Sequence, residues 1–174
     1  MNHAIKIRLE EPGDKPGVRN VNIRAFDQVQ EADIVDRLRE NADWVLSLVA
    51  VRDEAVVGHI LFSPATIEGQ HGILKGTGLA PIAVLPDFQK QGIGSLLVRG
   101  GLNRLRKTSC PFVIVLGHPG YYQRFGFASA SRFGIQCQWG GVPDEAFMIL
   151  WLDPALDNKV KGMAMYREEF NEAV

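Results

Sequence analysis

The segment Ile82-Ala83-Val84-Leu85-Pro86-Asp87-Phe88-Gln89-Lys90-Gln91-Gly92-Ile93-Gly94-Ser95 carries the residue types of an anion cradle. An apolar run ends at Leu85, Pro86 stops it, and an apolar stripe at helical spacing starts at Ile93, so a strand turns into a helix here. The first N–H groups of a helix have no intrahelical partner and carry about half a positive charge. Phosphates bind well to such ends. Gly92 and Gly94 remove the Cβ atoms that would block a diphosphate and permit backbone angles closed to other residues. Lys90 adds a cation and Ser95 a hydroxyl donor. Glycine in a helix costs about 1 kcal/mol relative to alanine, a penalty that packing does not obviously require at either position. Glycines alone leave a plain helix-starting turn open beside the cradle. The spacing is neither that of a P-loop ending in Gly-Lys-Ser/Thr nor a dinucleotide fingerprint after the first strand.

Other reactive side chains give blander readings. Cys110 and Cys137 form no CxxC pair, and no His/Cys cluster has zinc-ligand spacing, so two reduced, partly buried thiols and no metal are expected. His118 follows an apolar run. Histidine is the side chain that titrates near neutrality, so it is a candidate base. Capping the next helix and pointing to solvent are equally open for it. His59 reads as a packed or edge histidine, and His3 and His71 as surface residues. Glu31 reads as a helix-start carboxylate. Trp44, Trp139 and Trp151 read as structural, supplying buried area.

The elements that must position the cradle follow from periodicity. Ile5 to Leu9 alternates as a half-buried strand, and Val18 to Phe26 and Glu31 to Arg39 read as short helices. Trp44 to Arg52 and Val56 to Ser63 form a hairpin about Asp53-Glu54-Ala55. Gly76 to Leu85 is a strand whose Pro81 predicts a bulge or broken pairing. Ile93 to Lys107 is a helix with a stripe of Leu97, Val98, Leu102 and Leu105. Phe112 to Leu116 is continuously apolar, as a strand covered on both faces is. Strand, helix, strand in this order implies parallel pairing. A short helix near Tyr121 to Phe125 and strands near Phe133 to Cys137 and Phe147 to Leu152 follow. A polar helix from about Met163 closes the chain, with Glu168, Glu169 and Glu172 on its solvated face. The fold class is α/β, a mixed sheet with helices on its faces.

The chain has 174 residues, which fits one domain, 1–174, with room for a substantial core. Nineteen Lys and Arg balance 20 Asp and Glu, so no general attraction to nucleic acid or to an anionic membrane is expected. No apolar run approaches the ~20 residues of a membrane span, and the N-terminus lacks the apolar core of a signal peptide. A cytoplasmic location follows as an expectation. Oligomeric state is not readable, and a dimer is compatible.

Gln89-x-x-Gly92-x-Gly94 resembles the Q/R-x-x-G-x-G/A signature of the GNAT N-acetyltransferase superfamily, standing between a strand and a long helix as it does there. Leu116-Gly117-His118-Pro119-Gly120-Tyr121-Tyr122-Gln123-Arg124-Phe125-Gly126-Phe127 resembles the superfamily's later Y-x-x-x-G-F element. Leu79-Ala80-Pro81-Ile82-Ala83-Val84 and Tyr122 to Phe127 are similar to the YhbS-like branch.

The resemblance implies a GNAT fold with a central mixed sheet of about seven strands and flanking helices. It implies acetyl-CoA as cosubstrate, entering where the strand before the signature splays from the next parallel strand. Pantetheine would pair with Ile82, Ala83 and Val84. The diphosphate would lie on Gln91, Gly92, Ile93, Gly94 and Ser95, with Gln89 and Lys90 beside it. Tyr122 is the implied general acid toward the coenzyme A sulfur, since a phenol of pKa about 10 holds its proton at neutral pH. Tyr121 is one register away, and a core tyrosine is the plain alternative for Tyr122. The acceptor is an amine on a small molecule or peptide. Two readings compete: a non-catalytic acyl-CoA-binding or sensing domain, and a transferase for longer acyl chains.

Overall fold

The computed structural model describes residues 3–173. The chain divides into two compact units. The first holds the chain up to Phe62 together with Ala80–Arg104; the second holds Ser63–Leu79 and Leu105–Glu172.

In the first unit, β1 (Lys6–Leu9) pairs antiparallel with β2 (Leu46–Arg52), and β2 with β3 (Ala55–Gly69). The β2–β3 turn is two residues, Asp53 and Glu54, both at positive φ. That is the primed turn whose twist suits a hairpin. Helices α1 (Lys15–Phe26) and α2 (Gln30–Asn41) cover one face of these strands, and α3 (Ile93–Leu105) covers the other. The faces follow strand periodicity. Val49 packs with Val18 of α1 and Val35 of α2, while Leu48 and Ala50 belong to the α3 side. There a methyl on Gly58 would lie 3.1 Å from Ile93 and Leu97 and 3.2 Å from Ala50, and one on Gly101 only 2.1 Å from the Phe62 ring. These bare positions let α3 sit close against the sheet. Leu97, Val98, Leu102 and Leu105 are buried as the stripe predicts.

A polar chain crosses the α1/α2 side of this unit. The Asn22 side-chain amide donates to Val18 O (2.9 Å) and meets His59 Nδ1 at 3.0 Å, and His59 Nε2 meets Ser47 Oγ at 3.0 Å. The Ser47 hydroxyl in turn donates to Glu10, which also pairs with Arg39. Asn22 can only donate through its nitrogen, so Nδ1 accepts and Nε2 carries the proton. His59 is fully buried. Burial first, and the Arg39 charge second, lowers its pKa to about 3, so the ring is neutral. The expectation of a packed histidine is met.

In the second unit, the Gly72–Leu79 part of β4 (Gly72–Val84) runs parallel to β5 (Phe112–Leu116) over Thr77–Leu79. β5 pairs antiparallel with β8 (Phe147–Trp151), and β8 with β6 (Ala128–Ser129). β7 (Ile135–Cys137) lies parallel to β9 (Gly162–Met165), and β9 antiparallel to Thr66–Glu68, the end of β3 that belongs to this unit. Helix α4 (Pro119–Tyr122) continues as a 3-10 turn, Gln123–Phe125. The sheet is mixed, as expected, with nine strands among the described residues rather than about seven.

Two expectations are corrected. The polar helix from Met163 is a strand, β9, followed by a 3-10 helix at Glu168–Ala173. Strand pairing on both edges outweighs the helix-forming Met and Ala of that stretch. Glu169 is buried and paired bidentately with Arg167 (2.7 and 3.0 Å), so it lies on no solvated face. Trp44 is 41% exposed, while Trp151 packs edge-on to Phe112 and Phe133. Cys110 and Cys137 are free and half-buried. Among the described residues, no helix is long and apolar enough to cross a membrane.

Candidate active site

The turn from β4 into α3 is tied by its own hydrogen bonds. Pro86–Phe88 make a 3-10 turn, with Phe88 N–H donating to Leu85 O (2.8 Å) and Gln89 N–H to Pro86 O (3.3 Å). The Gln89 side-chain amide donates back to Val84 O at 3.0 Å, and that of Gln91 to Asp87 O at 3.2 Å. The Arg52 guanidinium lies 5.4 Å above the Phe88 ring. The backbone then takes left-handed angles at Lys90 (φ 61°) and Gly92 (φ 84°). For a side chain such as lysine that conformation costs about 1 kcal/mol and persists only where the surroundings hold it.

A methyl on Gly92 would meet no atom within 4 Å, so the missing side chain opens space rather than relieving a clash. Leu96 N–H makes its helical bond to Gly92 O at 3.1 Å. The N–H groups of Ile93, Gly94 and Ser95 precede that bond and belong to the first, unsatisfied turn of α3. Gln89, Lys90, Gln91 and Gly92 are exposed, Gly94 and Ser95 half-buried, and Ile93 buried. Ile93 therefore anchors the helix start through its side chain and offers only backbone.

Upstream, Pro81, Ala83 and Leu85 are buried and alternate with half-buried Ile82 and Val84. Leu85 N–H donates to Val57 O (2.9 Å), holding this end of β4 to β3. The Ala80–Pro81 peptide is cis, and β4 runs through it without interruption. The parallel ladder to β5 ends just before it, at Leu79.

In the second unit, Tyr122 ends α4 with its ring buried, edge-on to Tyr121 (5.0 Å) and Phe127 (5.8 Å). A methyl on Gly117 would fall 2.5 Å from the ring, so glycine makes room for it. Burial, with Tyr121 adding, raises the Tyr122 pKa well above the usual phenol value, and the group is protonated. His118 stands at the N-cap of α4. Its carbonyl accepts from Tyr121 N–H (3.1 Å) and Tyr122 N–H (3.2 Å), while its side chain makes no capping bond and is exposed. Glu31 sits in the first turn of α2, where it accepts from the Gln28 side chain (2.8 and 3.1 Å), as a helix-start carboxylate should.

A model of the Acetyltransferase (GNAT) domain matches residues 6–130, a span containing both the β4–α3 turn and Tyr122. The chain belongs to the GNAT acetyltransferase family.

Relatives of this GNAT chain include the Escherichia coli K12 protein described as uncharacterized N-acetyltransferase YhbS. The two are 38% identical over 166 residues, 95% of this chain and 98% of that one. Uncharacterized N-acetyltransferase YjhQ of the same strain is 41% identical over 127 residues, 72% of this chain and 70% of that one. The crystal structure of E. coli YhbS in complex with CoA superposes with a TM-score of 0.89 at 36% identity, covering 98% of this chain and 94% of that one. A GNAT acetyltransferase from Brucella melitensis in complex with acetyl-CoA gives 0.79 at 36% identity, covering 98% and 100%.

Sequence reasoning about this GNAT domain overlooked Tyr166. The signal lay in Gly76 and Gly78, two glycines on one face of a strand, which mark a close approach by something bulky. Methyls there would fall 2.5 Å from the Phe112 ring and 2.6 Å from the Tyr166 ring.

Proposed function

We propose that the chain moves the acetyl group of acetyl-CoA directly to an amine of a small molecule or peptide. The observation that carries the reading is the β4–α3 turn. Open space stands over Gly92, and the N–H groups of Ile93, Gly94 and Ser95 lie ahead of the first α3 bond. Such a turn supports the reading of a diphosphate cradle. The backbone from Gln91 to Ser95 would hold the diphosphate, Lys90 would supply the adjacent cation, and the backbone of Ile82, Ala83 and Val84 would pair with pantetheine. Gln89 and Gln91 act as braces, because each spends its side-chain amide on a carbonyl of the turn.

Val84 N–H would polarise the thioester carbonyl as it becomes an oxyanion. The amine nitrogen bonds to the carbonyl carbon and the C–S bond breaks. Tyr122, neutral and buried, gives its proton to the leaving sulfur. The proton lost by the amine passes to water or to exposed His118. Membership in the GNAT family and similarity to CoA-bound relatives support transfer over passive binding. The family match runs through both compact units, which supports one functional domain.

The experiment is an amine screen with acetyl-CoA, read by free thiol release, beside thermal shift with CoA alone. Stabilisation of about 2.7 kcal/mol is expected at a hundredfold excess over Kd. No shift with saturating CoA and no thiol release from any amine would reject the reading.

A further inference from the structure

The pairing of β4 with β5 ends on a side chain. The ladder matches Thr77 with Val113, Gly78 with Ile114 and Leu79 with Val115. At its end lies the Tyr166 hydroxyl, 3.0 Å from Leu79 O and 3.2 Å from Ile114 O. The Leu116 backbone also hydrogen-bonds to this phenol. One hydroxyl thus occupies carbonyls of both strands, including Leu79 O, which a continuing ladder would commit to an N–H of β5.

The ring is held rigidly. Trp139 stacks on it (5.6 Å, 22° between planes) and Phe170 meets it edge-on at 5.0 Å. Gly78 lies flat beneath it, where a methyl would come within 2.6 Å. The Tyr166 N–H donates to the Gln138 side chain, and Trp139 Nε1–H donates to Asn171 at 3.1 Å. Burial comes first among the causes that raise the Tyr166 pKa well above the usual phenol value, so the hydroxyl remains a donor. Phenylalanine would fill the same space without this hydroxyl, and Leu79 O and Ile114 O would lose the one O–H they share in a buried site.

We infer that Tyr166 is a positioning residue for acetyl-CoA: its hydroxyl ends the β4–β5 ladder at Leu79, so that the next residues, Ala80 to Val84, keep backbone groups for pantetheine. The inference rests on the reading of Ile82, Ala83 and Val84 given above. It assigns Tyr166 no contact with the reacting atoms.

The test compares two ligands by calorimetry, CoA and adenosine 3′-phosphate 5′-diphosphate, the nucleotide half of CoA without pantetheine. Wild type is expected to bind both. Tyr166→Phe is expected to weaken CoA about tenfold, roughly the worth of one hydrogen bond to a backbone group, and to leave the nucleotide within twofold. A general loss of structure would weaken both alike. Gly78→Ala, which forces the ring to shift, should reproduce the selective loss and stands in if Tyr166→Phe does not fold. Equal loss of both ligands, or undiminished CoA affinity in a folded variant, overturns the inference alone. Wild type binding neither ligand overturns the acetyl-CoA reading and this inference with it.

Discussion

The side-chain amide of Gln89 donates to the carbonyl oxygen of Val84 across 3.0 Å. The bond fastens the first residue of the Gln89-x-x-Gly92-x-Gly94 motif to the last residue of β4, closing the turn that delivers the chain into α3. A glutamine here shapes the turn and brings no charge to it. Gln89→Ala should raise the KM for acetyl-CoA about fivefold, the worth of one exposed hydrogen bond near 1 kcal/mol, with kcat nearly unchanged. Steady-state kinetics with acetyl-CoA varied checks it.

Gly92→Ala separates backbone strain from ligand clash. Its φ of 84° penalises any side chain, and the new methyl meets no protein atom. The melting temperature should fall by only about 2–4 °C, from roughly 1 kcal/mol of strain in a domain of this size. The methyl would stand in the proposed diphosphate site, so affinity for CoA should fall more than tenfold. Calorimetry beside a melting curve measures both.

Tyr122→Phe keeps the buried ring and its edge contacts with Tyr121 and Phe127. If Tyr122 protonates the leaving sulfur, turnover should fall about a hundredfold, the usual scale of a lost general acid. CoA affinity should stay within twofold. Equal turnover by the variant would remove Tyr122 from the chemistry and leave it a core residue.

Much of this was legible in sequence where one local pattern sufficed. The strand Phe112–Leu116 and the start of α3 at Ile93 follow from runs and periods. The open turn at Gly92, left-handed and free of neighbours, follows from a glycine after a strand. What escaped depends on distant partners. Glu169 looks solvated until Arg167 folds onto it, and Gly162–Met165 looks helical until β3 and β7 claim its edges. Tyr166 meets Leu79 across 87 positions of chain, which no local window reaches. Gln89 carried the motif but not its bond, because a side chain's choice between ligand and carbonyl is settled by the turn's geometry.

The buried His59 should leave a mark on acid stability. Its pKa in the fold is about 3 against an ordinary 6.5. Between those values the unfolded chain binds the proton that the fold refuses, so stability falls as pH drops from about 6.5 toward 3. The slope reaches up to about 1.4 kcal/mol per pH unit. Above pH 6.5 this group contributes no pH dependence. His59→Gln should flatten that slope in urea melts taken at several pH values, at a cost in stability near neutrality from disturbing Asn22 and Ser47.

A crystal soaked with acetyl-CoA tests the central claim most directly. The diphosphate oxygens are expected within hydrogen-bonding distance of the N–H groups between Gln91 and Ser95, in the space over Gly92. Clear density for the ligand elsewhere, or that space empty at saturating acetyl-CoA, would contradict it.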